Sequence, residues 1–262
     1  MSLNCIDYQG ADKGPGLSRS LWALFNEQER DKNAFVMDDF FSFVDVGASA
    51  SEAMGGGVNY YAATTTGQSV ETKTGGSTGV LTFKNVDDSD AALSMSLGDD
   101  AHLGQMIATA GSNKKTWFEA RVKVSAITSQ SLFIGLRAPG DAAETDLADA
   151  GTGIFELTHA GFTVLEASPS KVDCVYGTTT AASTELEGDA GTLVADTWMK
   201  LGLYFDGKYC RYFIDGTEVD KVLVTADNFP DSLDLGLGFA ICPHASADKE
   251  LDIDWWAFGA ER

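Results

Sequence analysis

From about Gly79 to Phe258 the chain repeats short runs in which apolar residues recur at every second position, separated by glycine, aspartate, serine and asparagine. In Trp117-Phe-Glu-Ala-Arg-Val-Lys-Val, the residues Phe118, Ala120, Val122 and Val124 share one face, and Glu119, Arg121 and Lys123 share the other. Successive side chains of a strand point to opposite sides, so a period of two marks an antiparallel strand with one buried and one wet face. The same pattern predicts strands at 79–85, 91–97, 105–109, 117–126, 131–137, 153–158, 162–167, 171–176, 197–205, 208–215, 217–223, 233–241 and 251–258. Phe205-Asp-Gly-Lys208 and Ile214-Asp-Gly-Thr217 carry the Asp-Gly signal of a tight hairpin, so residues 198–223 are expected to form a three-strand meander.

The front of the chain has a different rhythm. Residues 1–16 hold Gly10, Gly14, Pro15 and Gly16 without periodicity and read as an extended arm. Leu17, Leu21, Leu24, Phe25 and Gln28 then fall at helical spacing, with Trp22 near the apolar stripe and Ser18 or Ser20 placed to cap the first turn. This predicts an amphipathic helix of about three turns, too short to persist alone in water, which must dock on something. Near Met37 the composition turns aromatic and β-branched through Val46, and residues 48–78 read as small-residue strands joined by long loops. The expected division is an arm with its helix over 1–36 and a β domain over 37–262.

No strand–helix–strand alternation and no GxGxxG after a strand is present. Two packed antiparallel sheets fit the pattern better than a doubly wound fold, so the expected class is all-β, a jelly-roll β-sandwich with an N-terminal arm. At 262 residues and 44% hydrophobic the chain suits one such domain and is not a disordered one. With 39 acidic against 18 basic residues, its formal charge of −21 repels phosphate backbones and anionic lipid, so neither nucleic acid nor membrane is an expected partner. The first eight residues lack the charged start and apolar run of a secretory signal, which leads to the expectation of synthesis in a cytosol. Cys5, Cys174, Cys210 and Cys242 form no CxxC pair and are expected to be free thiols, mostly buried.

The strand Trp117-Phe-Glu-Ala-Arg-Val-Lys-Val resembles a W-x-E-x-R-h-x-h strand of concanavalin A-like lectin/glucanase domains. Trp198-Met-Lys-Leu-Gly-Leu-Tyr-Phe-Asp-Gly-Lys, Tyr212-Phe-Ile-Asp-Gly-Thr-Glu-Val and Leu251-Asp-Ile-Asp-Trp-Trp-Ala-Phe resemble three further strands of that family in the same order. The resemblance covers roughly residues 80–258 and implies a two-sheet jelly roll, an architecture shared by lectins, laminin-G-like modules, glycosidases and virion proteins. The opening Leu21-Trp-Ala-Leu-Phe-Asn26, followed by Asp38-Asp-Phe-Phe41, resembles the structural chains of tailed-bacteriophage heads, with no motif that assigns a site.

The glucanase branch carries its acid and nucleophile as E-x-D-x-x-E on a central strand, and no such string occurs here. The nearest spacing, Glu250, Asp252 and Asp254, is expected to be a solvated face of the closing strand, with Asp254 bonding a neighbouring turn. Of the three histidines, His159 and His244 are expected in exposed turns, and neither HExxH nor GxSxG accompanies them. Asp141, Glu144, Asp146 and Asp149 form a weak calcium candidate lacking the EF-hand order; apart from it no metal or cofactor is expected. Adjacent strand residues face opposite ways, so one of Trp255 and Trp256 should be core and the other on the outer sheet or under the arm.

These readings converge on a non-enzymatic virion protein that binds the outside of a bacteriophage capsid and stabilises it. Leu17, Leu21, Trp22, Leu24 and Phe25 would bury apolar area on the major capsid protein or on a neighbouring copy, as in a trimer, and the acidic surface would keep particles apart. A lectin-like module for host-surface glycan is the rival.

Overall fold

The computed structural model describes residues 15–23, 25, 33–40, 52–54, 60–63, 68–72, 79–85, 93–97, 106–107, 114–138, 158–178, 184–231, 233–244 and 248–261. Its elements are α1 (Arg19–Trp22), β1 (Asn33–Asp38), β2 (Glu52–Met54), β3 (Tyr60–Ala63), β4 (Gln68–Thr72), β5 (Leu81–Asn85), β6 (Leu93–Leu97), β7 (Met106–Ile107), β8 (Thr116–Val124), β9 (Gln130–Arg137), β10 (His159–Val164), β11 (Lys171–Gly177), β12 (Thr184–Thr192), β13 (Met199–Phe205), β14 (Tyr209–Ile214), β15 (Thr217–Leu223), β16 (Asp234–Pro243) and β17 (Lys249–Glu261).

The strands form two antiparallel sheets. The first runs β15-β14-β13-β8-β17-β5-β4, with β1 also paired to β17; the second runs β12-β11-β10-β9-β16-β6-β3-β2, with β7 paired to β16. Between them lies one core to which every second residue contributes. It receives Phe118, Ala120, Val122 and Val124 from β8, Leu132, Ile134 and Leu136 from β9, Leu201, Leu203 and Phe205 from β13, and Leu237, Phe239 and Ile241 from β16. Cys174 and Cys210 are buried there as free thiols, and Cys242 is also free and buried; Cys5 lies outside the described residues.

The Asp-Gly turns close as expected. Asp215 and Gly216 take φ of 47° and 74°, both positive as a two-residue type I′ hairpin requires, and join Ile214 to Thr217 in register. At the other turn Gly207 alone goes positive, at 88°, while Asp206 accepts the Lys208 and Tyr209 amides at 2.9 and 2.7 Å.

Four expectations change. Strand β12 was not foreseen, because Thr184-Glu-Leu-Glu-Gly-Asp-Ala-Gly-Thr is an edge strand paired only to β11 and only part-buried, so its apolar signal is weak. Strand β10 begins at His159, three residues before the expected run, and residues 153–157 lie outside the described set. The sheet also starts earlier than Met37: β1 opens at Asn33 and crosses the expected domain boundary. The three-turn helix is described only as the single turn α1, closed by Trp22 N–H to the Ser18 carbonyl at 3.0 Å, with no side-chain cap from Ser18.

Candidate functional site

Two outward faces collect the polar and aromatic residues on which chemistry or recognition could rest. On the first sheet, Trp117 and Glu119 of β8, Tyr204 of β13, Phe213 of β14, and Trp255 and Ala257 of β17 all point away from the inter-sheet core. Such positions read as wet in the sequence, yet Glu119 is only 1% exposed. What buries this face is the leading segment of the chain itself. Leu17, Leu21, Trp22 and Phe25 pack with Trp117, Tyr204, Phe213, Trp255 and Ala257 into a second apolar cluster, separate from the core between the sheets. Trp22 meets Phe25 edge-on at 5.6 Å, Phe25 meets Trp117 at 5.1 Å, and Trp117 stacks on Tyr204 at 5.3 Å.

The fit depends on two glycines. A Cβ on Gly202 would lie 2.5 Å from Leu21 Cδ2, and one on Gly259 would lie 2.8 Å from Phe25 Cε2 and 3.0 Å from Trp22 Cζ3. Polar bonds fix the register of the segment. Glu119 Oε2 accepts the Ser18 amide and the Trp22 indole N–H, both at 2.9 Å. Trp255 Nε1 donates to the Pro15 carbonyl at 2.7 Å, and Lys200 Nζ to the Gly16 carbonyl at 3.0 Å. Ser20 Oγ donates to the Gly216 carbonyl. Burial pushes the Glu119 carboxyl above its ordinary range, opposed by Ser18, the Lys200 ammonium and Trp22.

The apolar stripe expected to meet a partner is therefore covered within the chain, because the sandwich presents it a complementary aromatic slot. Leu24 lies outside the described residues. The tryptophan pair divides as expected: Trp256 enters the core and Trp255 lies under the arm. The acidic run does not. Strand β17 sits inside the sheet between β8 and β5, and a bulge between Ile253 and Trp255 breaks the alternation. Asp252 is buried, bonded to Thr82 Oγ1 at 2.7 Å and to Lys123 Nζ at 3.0 Å. Asp254 pairs with Arg121 and not with a turn.

The outward face of the second sheet is floored by glycine. Gly135 of β9 faces Gly161 of β10 and Gly238 of β16 across the ladder, and a Cβ on Gly135 would lie 2.6 Å from the Ala160 carbonyl oxygen. Phe133 lies over Gly135 and Gly161, and the Arg137 stem lies over Gly238. His159 meets Phe133 edge-on at 5.9 Å and is 1% exposed, which corrects its expected place in an exposed turn. His244, just past β16, is half-buried and not in an exposed turn, and its Nε2 hydrogen-bonds Ser131 Oγ at 2.7 Å. Toward the edge, Asp173 of β11 accepts the Asp189 amide at 2.8 Å. Burial and the nearby Glu185 and Asp189 charges raise its carboxyl, against that amide and Lys171. The calcium candidate Asp141, Glu144, Asp146 and Asp149, and His102, lie outside the described residues; among those described, no group of three or more His, Cys, Asp and Glu could hold a metal.

No family model matches the chain, and no curated protein matches it. Solved structures do. A protein of unknown function from Shewanella oneidensis MR-1 is similar over 88% of this chain and 87% of its own, at 16% identity and a TM-score of 0.52. SCLam, a non-specific endo-β-1,3(4)-glucanase of family GH16, is similar over 88% and 92% at 10% identity, with a TM-score of 0.57. A GH16 protein of Bacteroides ovatus, from a mixed-linkage glucan locus and in complex with a glucan product, is similar over 84% and 98% at 13% identity, with a TM-score of 0.55. At these identities the likeness carries architecture and not activity: the chain has the two-sheet β-sandwich fold of the concanavalin A-like lectins and glucanases.

Proposed function

We propose that this chain is a non-catalytic virion structural protein, a decoration protein that attaches to the outer capsid surface of a tailed bacteriophage and stabilises the shell. The observation that carries the non-catalytic part is the chemistry of the second sheet. A retaining glycosidase needs two carboxylates about 5 Å apart across its cleft. The described outward positions around Gly135 on β9, β10 and β16 are instead Gly161, Gly238, Phe133, Arg137, His159, Ser131, Thr163 and Ala240, and Asp173 lies one strand further out, on β11. The virion part is supported by the resemblance of the opening residues and by an acidic surface that suits a protein displayed at high density.

The mechanism differs from attachment by a free arm. With Leu17, Leu21, Trp22 and Phe25 held on its own sheet, the chain would meet the major capsid protein as a rigid slab, and many weak contacts would add through avidity among neighbouring copies, a trimer being one arrangement. Cosedimentation of the purified protein with shells that lack it is the test. Saturable, stoichiometric binding with a raised shell melting temperature is expected; absence of binding, or release of reducing sugar from β-glucans, would overturn the proposal. A lectin-like module for host-surface glycan is favoured by the glucan-bound structural neighbour, and specific binding on a glycan array would select it.

A further inference from the structure

We infer that the outward face of the first sheet is a peptide-binding groove, and that residues 15–25 of a neighbouring copy can occupy it in place of the chain's own. The groove is a complete receptor. Its floor is Trp117, Tyr204, Phe213, Trp255 and Ala257; the bare backbones of Gly202 and Gly259 make room for Leu21, Trp22 and Phe25. Its polar groups read a peptide at five points: Glu119 takes a backbone amide and an indole N–H, Trp255 Nε1 and Lys200 Nζ each take a backbone carbonyl, and the Gly216 carbonyl takes the Ser20 hydroxyl.

The occupant is as self-contained as the receptor. The hydrogen bonds all come from one stretch of eleven residues and reach positions 97 to 240 residues away along the chain, and Trp22 and Phe25 also pack on Phe35 of β1. Only the seven residues 26–32 connect that stretch to β1. Every contact is therefore the same whether the segment belongs to the same chain or to another, the condition under which an element exchanges between protomers at low cost. A short tether supplies its own segment at an effective concentration on the order of millimolar, so the chain fills its own groove in dilute solution. Copies crowded on a shell reach comparable local concentrations, and there exchange would link neighbours. That last step rests on the decoration reading; the exchange itself does not.

Two full-length variants test it in solution. L21A/W22A removes the occupant and keeps the groove, and Gly259→Leu fills the groove and keeps the occupant. Mixed at about 100 μM, they are expected to form a one-to-one complex by native mass spectrometry, absent from either variant alone, with the melting temperature of L21A/W22A partly restored. Should Gly259→Leu not fold, a synthetic peptide of residues 14–26 added to full-length L21A/W22A gives the same readout. Saturable binding is expected, at least about tenfold weaker for the Trp22→Phe peptide, which loses the bond to Glu119 and part of the ring surface packed on Phe25 and Phe35. No complex and no peptide binding would overturn the exchange and leave shell attachment untouched. Failure to bind shells would overturn the decoration reading and leave the groove intact.

Discussion

Glu119 places a carboxyl where its strand neighbours predict water, and the arm is what took the water away. Since burial raises its folded pKa above the unfolded value, the folded chain holds a proton there that the unfolded chain has already released. Stability contributed by this group is therefore fully present below the unfolded pKa and falls as pH rises through the folded one. Asp173 acts in the same direction, and Asp206 in the opposite one. Denaturant midpoints taken from about pH 4 to about pH 8 should show a flatter profile for E119Q than for the parent, because the amide still accepts from Ser18 and Trp22 but no longer titrates. E119A strands both donors and should cost about 1–3 kcal/mol relative to E119Q, at every pH. Glycine makes a second residue-scale demand: Gly135→Ala puts a methyl 2.6 Å from the Ala160 carbonyl oxygen and from Gly161 Cα, both backbone atoms. A loss of about 1–3 kcal/mol by chemical denaturation is expected, with no relief from side-chain repacking.

At the scale of elements, the strands and turns of the β13, β14 and β15 meander were legible, because Asp-Gly turns fix register near the turn through φ values that few residues adopt, but the bulge between Tyr212 and Phe213 was not. Gly216→Val should cost about 1–2 kcal/mol at a φ of 74° and slow hairpin closure. Asp206 supports the other turn. Burial alone would raise its carboxyl, but the Tyr209 and Lys208 amides and the Arg211 guanidinium outweigh that and hold it low. Its stabilisation is present above the unfolded pKa and is lost as pH falls through the folded one, so D206N should blunt acid unfolding measured by circular dichroism. Elements that were not legible failed for physical reasons. An edge strand such as β12 needs no continuous apolar face, and β10 lies in a sheet whose outward glycines and buried His159 break the alternation that marks a strand. The arm was half legible: its stripe of Leu17, Leu21, Trp22 and Phe25 announces burial, but helical spacing says nothing about where. Its receptor is assembled from outward positions on four strands, and an outward Trp117 or Tyr204 looks like surface until something lies on it.

For the molecule as a whole, the decisive question is whether arm and sandwich unfold as one unit. The core between the sheets contains none of the four arm residues, so the sandwich closes without them. Within the arm the described backbone bonds are Trp22 to Ser18 and Phe25 to Trp22, and the arm is tied to the sandwich through side chains and single carbonyls rather than a strand ladder. Segments that pack on a core complete without them, outside its strand ladders, open locally at a free energy below that of global unfolding. The energetics of mutation should then saturate. Leu21→Ala or Trp22→Ala alone should each cost about 2–5 kcal/mol, limited by the full docking free energy of the arm, because each empties a buried site. Once either has released the arm, the second has nothing left to remove. The double-mutant cycle for L21A and W22A is accordingly expected to be strongly sub-additive, while Leu21→Ala combined with Phe239→Ala in the inter-sheet core should be additive. Additive losses for the arm pair would mean that the segment is integral to the fold. Hydrogen exchange reads the same distinction without mutation: the Trp22 and Phe25 amides should exchange through a cheaper opening than those of β8 and β13, and equal protection would join arm and sandwich into one cooperative body.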